Sequence, residues 1–444
     1  MAARLLRIKS GNLHRPMSMS LRELFAVLMV AALATAVSAQ DLLIRAGHLI
    51  DPATGKVTQR QEILIHDGKV ASVGEHVKAP GAEAIDLSSE WVLPGLGDAH
   101  QHLTLDLPPA PQRGSVWESV RLTQSTAERT LRGLRNAAGL LQGGFTLVRD
   151  VGNAADYADT EVRRAIERGW FPGPTVLNAG KIITPFGGQD PGIAPEAGAW
   201  WHDEYIDADT TDEVRAAVRR NIFYGAKVIK LAADSNPYHF SEELVRAAVD
   251  EAHEAGLTVA VHVYGGRAAK DAILGGADSI EHGYDLSDEL LELMKEKATF
   301  LVATEMTFED ILPQFGNPGL DRQSFEARSI QRLQRAYRQG VEMAFGTDAA
   351  LDAESRSRTD QMLDQAALWQ RAGLPTAFIL KCMTVNVAKV MHLQDTRGSI
   401  TPGLAADIIA TSENPLENIE GLRKVNFVMK DGRVVRRPPQ AVNQ

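Results

Sequence analysis

Cysteine is almost absent from this 444-residue sequence, Cys382 being the single one. One thiol makes neither an intrachain disulfide nor a cysteine-based metal cluster, so any bound metal must be held by nitrogen and oxygen ligands. Positive charge is scarce too. Lys+Arg number 47 against 57 Asp+Glu, a net charge of −10, and no basic run occurs beyond the extreme N-terminus. Without a positive patch to hold phosphates, no nucleic-acid partner is expected. Long apolar runs are missing: Leu24–Val37 has 14 residues, short of the ~20 that a bilayer-spanning helix needs. Nor is there a G-x-G-x-x-G, a P-loop or a G-x-S-x-G, so nucleotide cofactors and serine-hydrolase chemistry have no motif behind them.

What is present is an ordinary core-forming composition, 44% hydrophobic and 23% charged, which excludes disorder and collagen-like repeats. The N-terminus reads as an address label. Arg4, Arg7, Lys9, Arg15 and Arg22 precede the apolar run, and Val37-Ser38-Ala39 is a small-x-small cleavage signal. Residues 1–39 are therefore expected to be a signal peptide cleaved near Ala39, with Met17 or Met19 as alternative starts and an uncleaved anchor as the rival reading. Loss of five basic residues and Glu23 takes the net charge from −10 to −14. The expected location is periplasmic or secreted.

Three regions follow. Residues 40–93 read as short strands, with Leu42–Ile44 and Ile63–Ile65 β-rich and Asp67-Gly68 a hairpin signal. Residues 396–444 share that texture, with a second Asp431-Gly432. The two ends are expected to pair into one small β-sandwich. Between them, 94–395 alternates apolar strands (Phe145–Val148, Val228–Leu231, Val259–Val263, Phe300–Ala303) with helices, one of them capped by Ser241 and stopped by Gly256. Repeated strand–helix units of this number predict a (β/α)8 TIM barrel, with an open doubly wound sheet as the alternative.

Function in such a barrel sits at the C-terminal strand ends. His100 and His102 alternate along one strand and so share a face. In Val228-Ile-Lys230-Leu-Ala232, Lys230 shares its parity with two apolar residues and is expected to point inward, Lys227 being the alternative register. A buried lysine loses its charge readily, and the neutral amine takes up CO2 to give an anionic carbamate with two oxygens for two cations. His262, His282 and Asp348 each close a further apolar strand, and Tyr264 has the parity of His262. Singly, each is as readily a cap or a loop residue; five successive strand ends carrying His-x-His, Lys, His, His and Asp are hard to obtain by chance.

This pattern resembles the amidohydrolase superfamily, in the branch where two metals are bridged by a carboxylated lysine. The likeness extends to Val92-Leu-Pro-Gly-Leu-Gly-Asp-Ala-His100, Gly144-Phe-Thr-Leu-Val-Arg-Asp150 and Gly398-Ser-Ile-Thr-Pro-Gly403 through Asp407. It implies that His100, His102 and Asp348 hold one divalent ion, that His262 and His282 hold a second, and that carboxylated Lys230 bridges them. Zinc is the favoured metal, since imidazole and carboxylate suit it, with manganese or cobalt as alternatives. A metal-bridging hydroxide would attack an amide carbonyl, with Asp348 as general base and then general acid. The members most similar are Xaa-Pro dipeptidases, zinc carboxypeptidases and ochratoxinase-like enzymes, which implies a small-molecule amide or dipeptide that releases a C-terminal amino acid, and a homo-oligomer.

Tyr264 would bind the substrate carboxylate or simply pack the mouth, His239 would reach substrate or lie solvated in a loop, and Arg149 is expected in an ion pair behind the site. The stretch from Thr184 to Trp201 is expected to cover the site. The sequence departs from the branch after Lys230, where Ala232-Ala-Asp-Ser-Asn-Pro237 replaces a glycine-rich turn. Two other readings remain: a cyclic amidohydrolase or deaminase of the imidazolonepropionase type, against which Lys230 argues, and a non-catalytic binding protein.

Overall fold

The computed structural model describes residues 40–107, 123–152, 155–189, 194–234, 238–315, 319, 321–350 and 356–438. The segment read as a signal peptide, 1–39, lies outside them, as do 190–193 of the expected covering loop and 235–237 after Lys230. No helix among the described residues is long and apolar enough to cross a membrane.

β-branched and leucine-rich runs open the chain as β1 (Leu42–Asp51), β2 (Lys56–His66), β3 (Lys69–Gly74) and β4 (Glu83–Pro94). Asp67 and Gly68, with φ of 46° and 77°, turn β2 into β3, the paired left-handed conformation that tight hairpins need. Only Gly95 separates β4 from β5 (Leu96–Gln101). There follow β6 (Phe145–Asp150), β7 (Thr175–Asn178), β8 (Ile182–Thr184), β9 (Tyr205–Asp207), β10 (Ile229–Ala232), β11 (Val259–Gly265), β12 (Ser279–Asp285), β13 (Phe300–Ala303) and β14 (Met343–Phe345).

All pairings from β5 to β14 are parallel. β5, β6, β7 and β10 to β14 are the eight barrel strands, with β8 and β9 an added pair beside β10. One seam is joined by the Lys227 N–H on the Asn178 carbonyl (2.7 Å) and the other by the Asp348 N–H on the His100 carbonyl (2.8 Å). Helices link successive strands. In the one at Glu242–Glu254, Ser241 Oγ accepts from the Leu244 N–H, as the sequence predicts, and Gly256 takes a φ of 73° just beyond its end. Outward faces of the strands bury Leu231, Val261, Ile280, Leu301 and Phe345 against the helices, each contributing roughly 1.5–3 kcal/mol.

The chain closes with β15 (Ile408–Thr411), β16 (Val425–Lys430) and β17 (Arg433–Arg436). β15 lies antiparallel to β4, which places strands from both ends in one seven-stranded sheet. At its far edge the sheet curls back: the Val70 N–H bonds the Leu404 carbonyl, and the Ala406 N–H bonds that of Gly68. The enclosed face buries Ile44, Ile63, Leu87, Ile408 and Phe427. The architecture is a TIM barrel with a composite β-sandwich.

Candidate active site

Inside the barrel an apolar cluster of Val151, Ala179, Val228 and Ala260 is joined by buried polar groups. Arg149, Lys230, Ser279 and Glu281 are all buried there, and above them, at the C-terminal strand ends, the sequence-picked residues converge. His100, His102, Lys230, His262, Tyr264, His282 and Asp348 line one cavity of about 600 Å³. Donor atoms of His100, His102 and Asp348 all lie within 4.8 Å of one another. Two of the converging residues owe their aim to unusual backbone: His282 and Asp348 have φ of 69° and 54°, a costly conformation for side-chain-bearing residues that concentrates at functional sites. Gly346 is what lets β14 come this close to β5, since a Cβ there would stand 2.9 Å from His100 Cβ and 2.3 Å from Val302 Cγ1.

Three of the four imidazoles are oriented from behind. His100 Nδ1 donates to Glu281 Oε2 at 2.6 Å, and His102 Nδ1 donates to the Gly152 carbonyl at 3.0 Å. His282 Nδ1 faces Thr304 Oγ1 at 2.7 Å. In all three, Nε2 is left to face the cavity, the arrangement of metal-ligating histidines. Burial, with the Lys230 charge adding to it, pulls His100 down to about 4 and His262 to about 3. His282 falls well below its ordinary value through burial and the neighbouring His262. Three neutral imidazoles are three available ligands. His102 moves the other way: burial opposes it, but the hydrogen bond and charge of Asp348 raise it. Asp348 is held low, burial again being outweighed, here by His102 and His100.

Lys230 is the inward residue of β10, while Lys227 is exposed. Its Nζ is buried with no hydrogen-bond partner among the described residues. Burial lowers it from 10.5 to about 8 against the attraction of Glu281. A buried, unpartnered, partly neutral amine between two pairs of histidines fits a group that becomes a bridging carbamate. The donor set therefore fits two divalent ions.

Several residues of the site were not picked from sequence. Arg149 was expected behind the site, but its partner Glu281 was missed: Arg149 Nη2 meets Glu281 Oε1 at 2.7 Å, Nε bonds the Ala99 carbonyl at 2.6 Å, and both side chains are fully buried. Burial would raise Glu281, yet Arg149 and His100 hold it well below the carboxylate range. Strand parity was the available signal, because Glu281, not His282, has the inward parity of Ser279. Asp98 accepts from the N–H groups of His100 (2.8 Å) and Thr347 (3.2 Å) and from Thr347 Oγ1 (2.6 Å), stitching β5 to the end of β14. Arg358 donates to the His102 carbonyl at 2.9 Å and to Asp106 Oδ1 at 2.9 Å.

Tyr264 stacks on Tyr284 (5.4 Å, 15°) and is 41% exposed. Burial and the carboxylates of Asp348 and Asp234 push its phenol up to about 12, so it stays a donor at neutral pH. His239 is not among the lining residues: its Nε2 lies 3.5 Å from Asp271 Oδ2. Of the expected covering loop, Gln189 lines the cavity, whereas Trp201 is buried beside Ile182 and Tyr205. Leu105, Leu107, Ile182, Met306, Ile311 and Ala350 give the cavity an apolar wall.

A model of the amidohydrolase family matches residues 91–435. The chain belongs to that family. It is 31% identical to the ochratoxinase of Aspergillus niger over 439 aligned positions, which cover 90% of this chain and 88% of that protein. Among solved structures, a Xaa-Pro dipeptidase with methionine bound in its active site superposes with a TM-score of 0.77 at 28% identity, covering 89% of this chain and 100% of that one. The Aspergillus niger ochratoxinase structure gives 0.75 at 29% identity, covering 90% and 96%. This amidohydrolase is a hydrolase acting on amide bonds.

Proposed function

We propose that this chain hydrolyses a small amide or dipeptide to release an amino acid with a free carboxylate, using two divalent ions, zinc by donor type. The carrying observation is the unpartnered, buried Lys230 Nζ among four histidines and Asp348 at the strand ends. His100, His102 and Asp348 would hold one ion, His262 and His282 the other, and carboxylated Lys230 both. When bound, the ions activate a shared water as nucleophile and polarise the scissile carbonyl.

The remaining steps belong to side chains. Asp348, kept ionised by the imidazoles beside it, accepts the proton of the attacking water and returns it to the leaving nitrogen. The protonated Tyr264 phenol, half-exposed at the mouth, donates to the carboxylate of the amino-acid half. The apolar wall takes the acyl half, and at about 600 Å³ the cavity has room for an aromatic group. The substrate types of the relatives, an ochratoxin-type aryl amide and a Xaa-Pro dipeptide, support this reading.

The test is a screen of zinc-loaded protein against Xaa-Pro dipeptides, N-acyl amino acids and ochratoxin-type amides, scored by amino-acid release. Release from one or more of these classes is expected. Turnover confined to cyclic amides or amidines, or release unaffected by chelation, would overturn the proposal.

A further inference from the structure

Of the three imidazoles held from behind, His100 and His102 meet oxygens that only accept, which fixes their ring proton on Nδ1. His282 meets a hydroxyl instead, Thr304 Oγ1 at 2.7 Å, fully buried just past the end of β13. A hydroxyl both donates and accepts. Were it to donate, the ring proton would sit on Nε2, the nitrogen turned to the cavity, and block it as a ligand. A third group settles the direction. Tyr284, two residues after His282 on β12, places its hydroxyl 2.8 Å from the Thr304 carbonyl and 2.9 Å from Thr304 Oγ1. With the His282 bond this makes three short contacts, for which the phenol, the threonine and the imidazole each bring one proton. The carbonyl only accepts, so it takes the phenol proton. The threonine proton must then bridge the two hydroxyls, and Nδ1 must supply the third. The opposite order, phenol to Oγ1 to Nδ1, would leave the phenol and carbonyl oxygens facing each other at 2.8 Å with no proton between them. Tyr284 is itself held in place. Its ring stacks on Tyr264 and lies 5.1 Å from the Arg332 guanidinium, which grips Glu305 through Nε at 2.7 Å and Nη2 at 2.5 Å.

We infer that Tyr284 is a positioning residue: acting through Thr304, it sets His282 in the Nδ1–H tautomer and so keeps the Nε2 lone pair for the second ion. The consequence for the ion rests on the two-ion reading above, whereas the tautomer is a property of the metal-free chain. One tyrosine thereby serves both ends of the site, its hydroxyl directing a ligand and its ring backing Tyr264 at the mouth.

The test reads the ring proton directly. Metal-free protein labelled with ¹⁵N-histidine is studied by NMR at mildly alkaline pH, the His282 signals being identified by their loss in His282→Asn. The wild type should show Nδ1–H. In Tyr284→Phe, which keeps the ring, the threonine proton loses its acceptor and turns to Nδ1, so the Nε2–H tautomer should appear; if that variant fails to fold, Tyr284→Leu carries the same comparison. Thr304→Val should also lose the Nδ1–H preference, and Thr304→Ser should restore it. Zn²⁺ titration in bicarbonate buffer against a competing chelator should show affinity for the second equivalent falling by about 10–100-fold in Tyr284→Phe and Thr304→Val, with Thr304→Ser close to the wild type. An Nε2–H tautomer in the wild type would overturn the role of Tyr284. So would an unchanged tautomer in Tyr284→Phe, even with weaker metal binding, since that marks a merely structural effect. A wild type that takes up a single equivalent would overturn the two-ion reading, while the tautomer still decides the role of Tyr284.

Discussion

Glu281 has no contact with the cavity, yet two requirements meet in its carboxylate: one oxygen takes the His100 Nδ1 proton and the other neutralises Arg149. Glu281→Gln would leave the guanidinium without its counter-charge and weaken the hold on the His100 tautomer. Affinity for the ion proposed at His100 and His102 should drop by about 10–100-fold, read by chelator competition, and stability should fall by about 3–5 kcal/mol, as for other broken buried pairs. An unchanged first-equivalent affinity would remove the orienting role. Asp348→Asn asks a different question. It keeps an oxygen ligand and removes the proton acceptor, so turnover should fall by at least ~100-fold while elemental analysis still finds the metal; near-normal turnover would refute the assigned acid–base role.

Strand β14 has only three residues, and it reaches His100 because Gly346 offers no side chain. Gly346→Ala places a methyl against Val302 and His100 and should cost about 1–3 kcal/mol in denaturant unfolding, with lower first-site affinity as β5 and β14 separate. A variant as stable as the wild type with intact affinity would show that the seam tolerates the extra carbon. At this scale the sequence was most legible where a strand has one buried face. Val228, Lys230 and Ala232 alternate, and the parity that puts Lys230 inward is the parity observed. Both Asp-Gly turns are hairpins, with positive φ at Asp67, Gly68, Asp431 and Gly432. The rest was hidden for a physical reason. Glu281 matters through a partner 181 residues away, Asp98 through Thr347 at a separation of 249, and no local period encodes such pairs. His239 is close to Lys230 in sequence, but the chain carries it to Asp271 instead.

Over the whole molecule, the metal-free state carries an electrostatic load that depends on pH. Lys230 has a folded value of about 8 against 10.5, so between these the unfolded chain binds a proton that the folded chain does not. Stability therefore rises with pH across that window and carries the full burial penalty below 8, a difference of about 3 kcal/mol. Urea unfolding of metal-free protein in CO2-free buffer should show this rise relative to Lys230→Met, in which other titrating groups are shared; parallel curves for the two proteins would contradict it. The same scale joins the sandwich to the chemistry. β4 is held on one side by β1 and on the other by β15, and a single glycine later the chain is already the strand of His100. Clipping off the last three strands would strip one flank from β4 and loosen the anchor of the first histidine pair from outside the barrel. A protease nick near residue 400 should thus register first as leakage of an ion rather than as collapse of the (β/α)8 body.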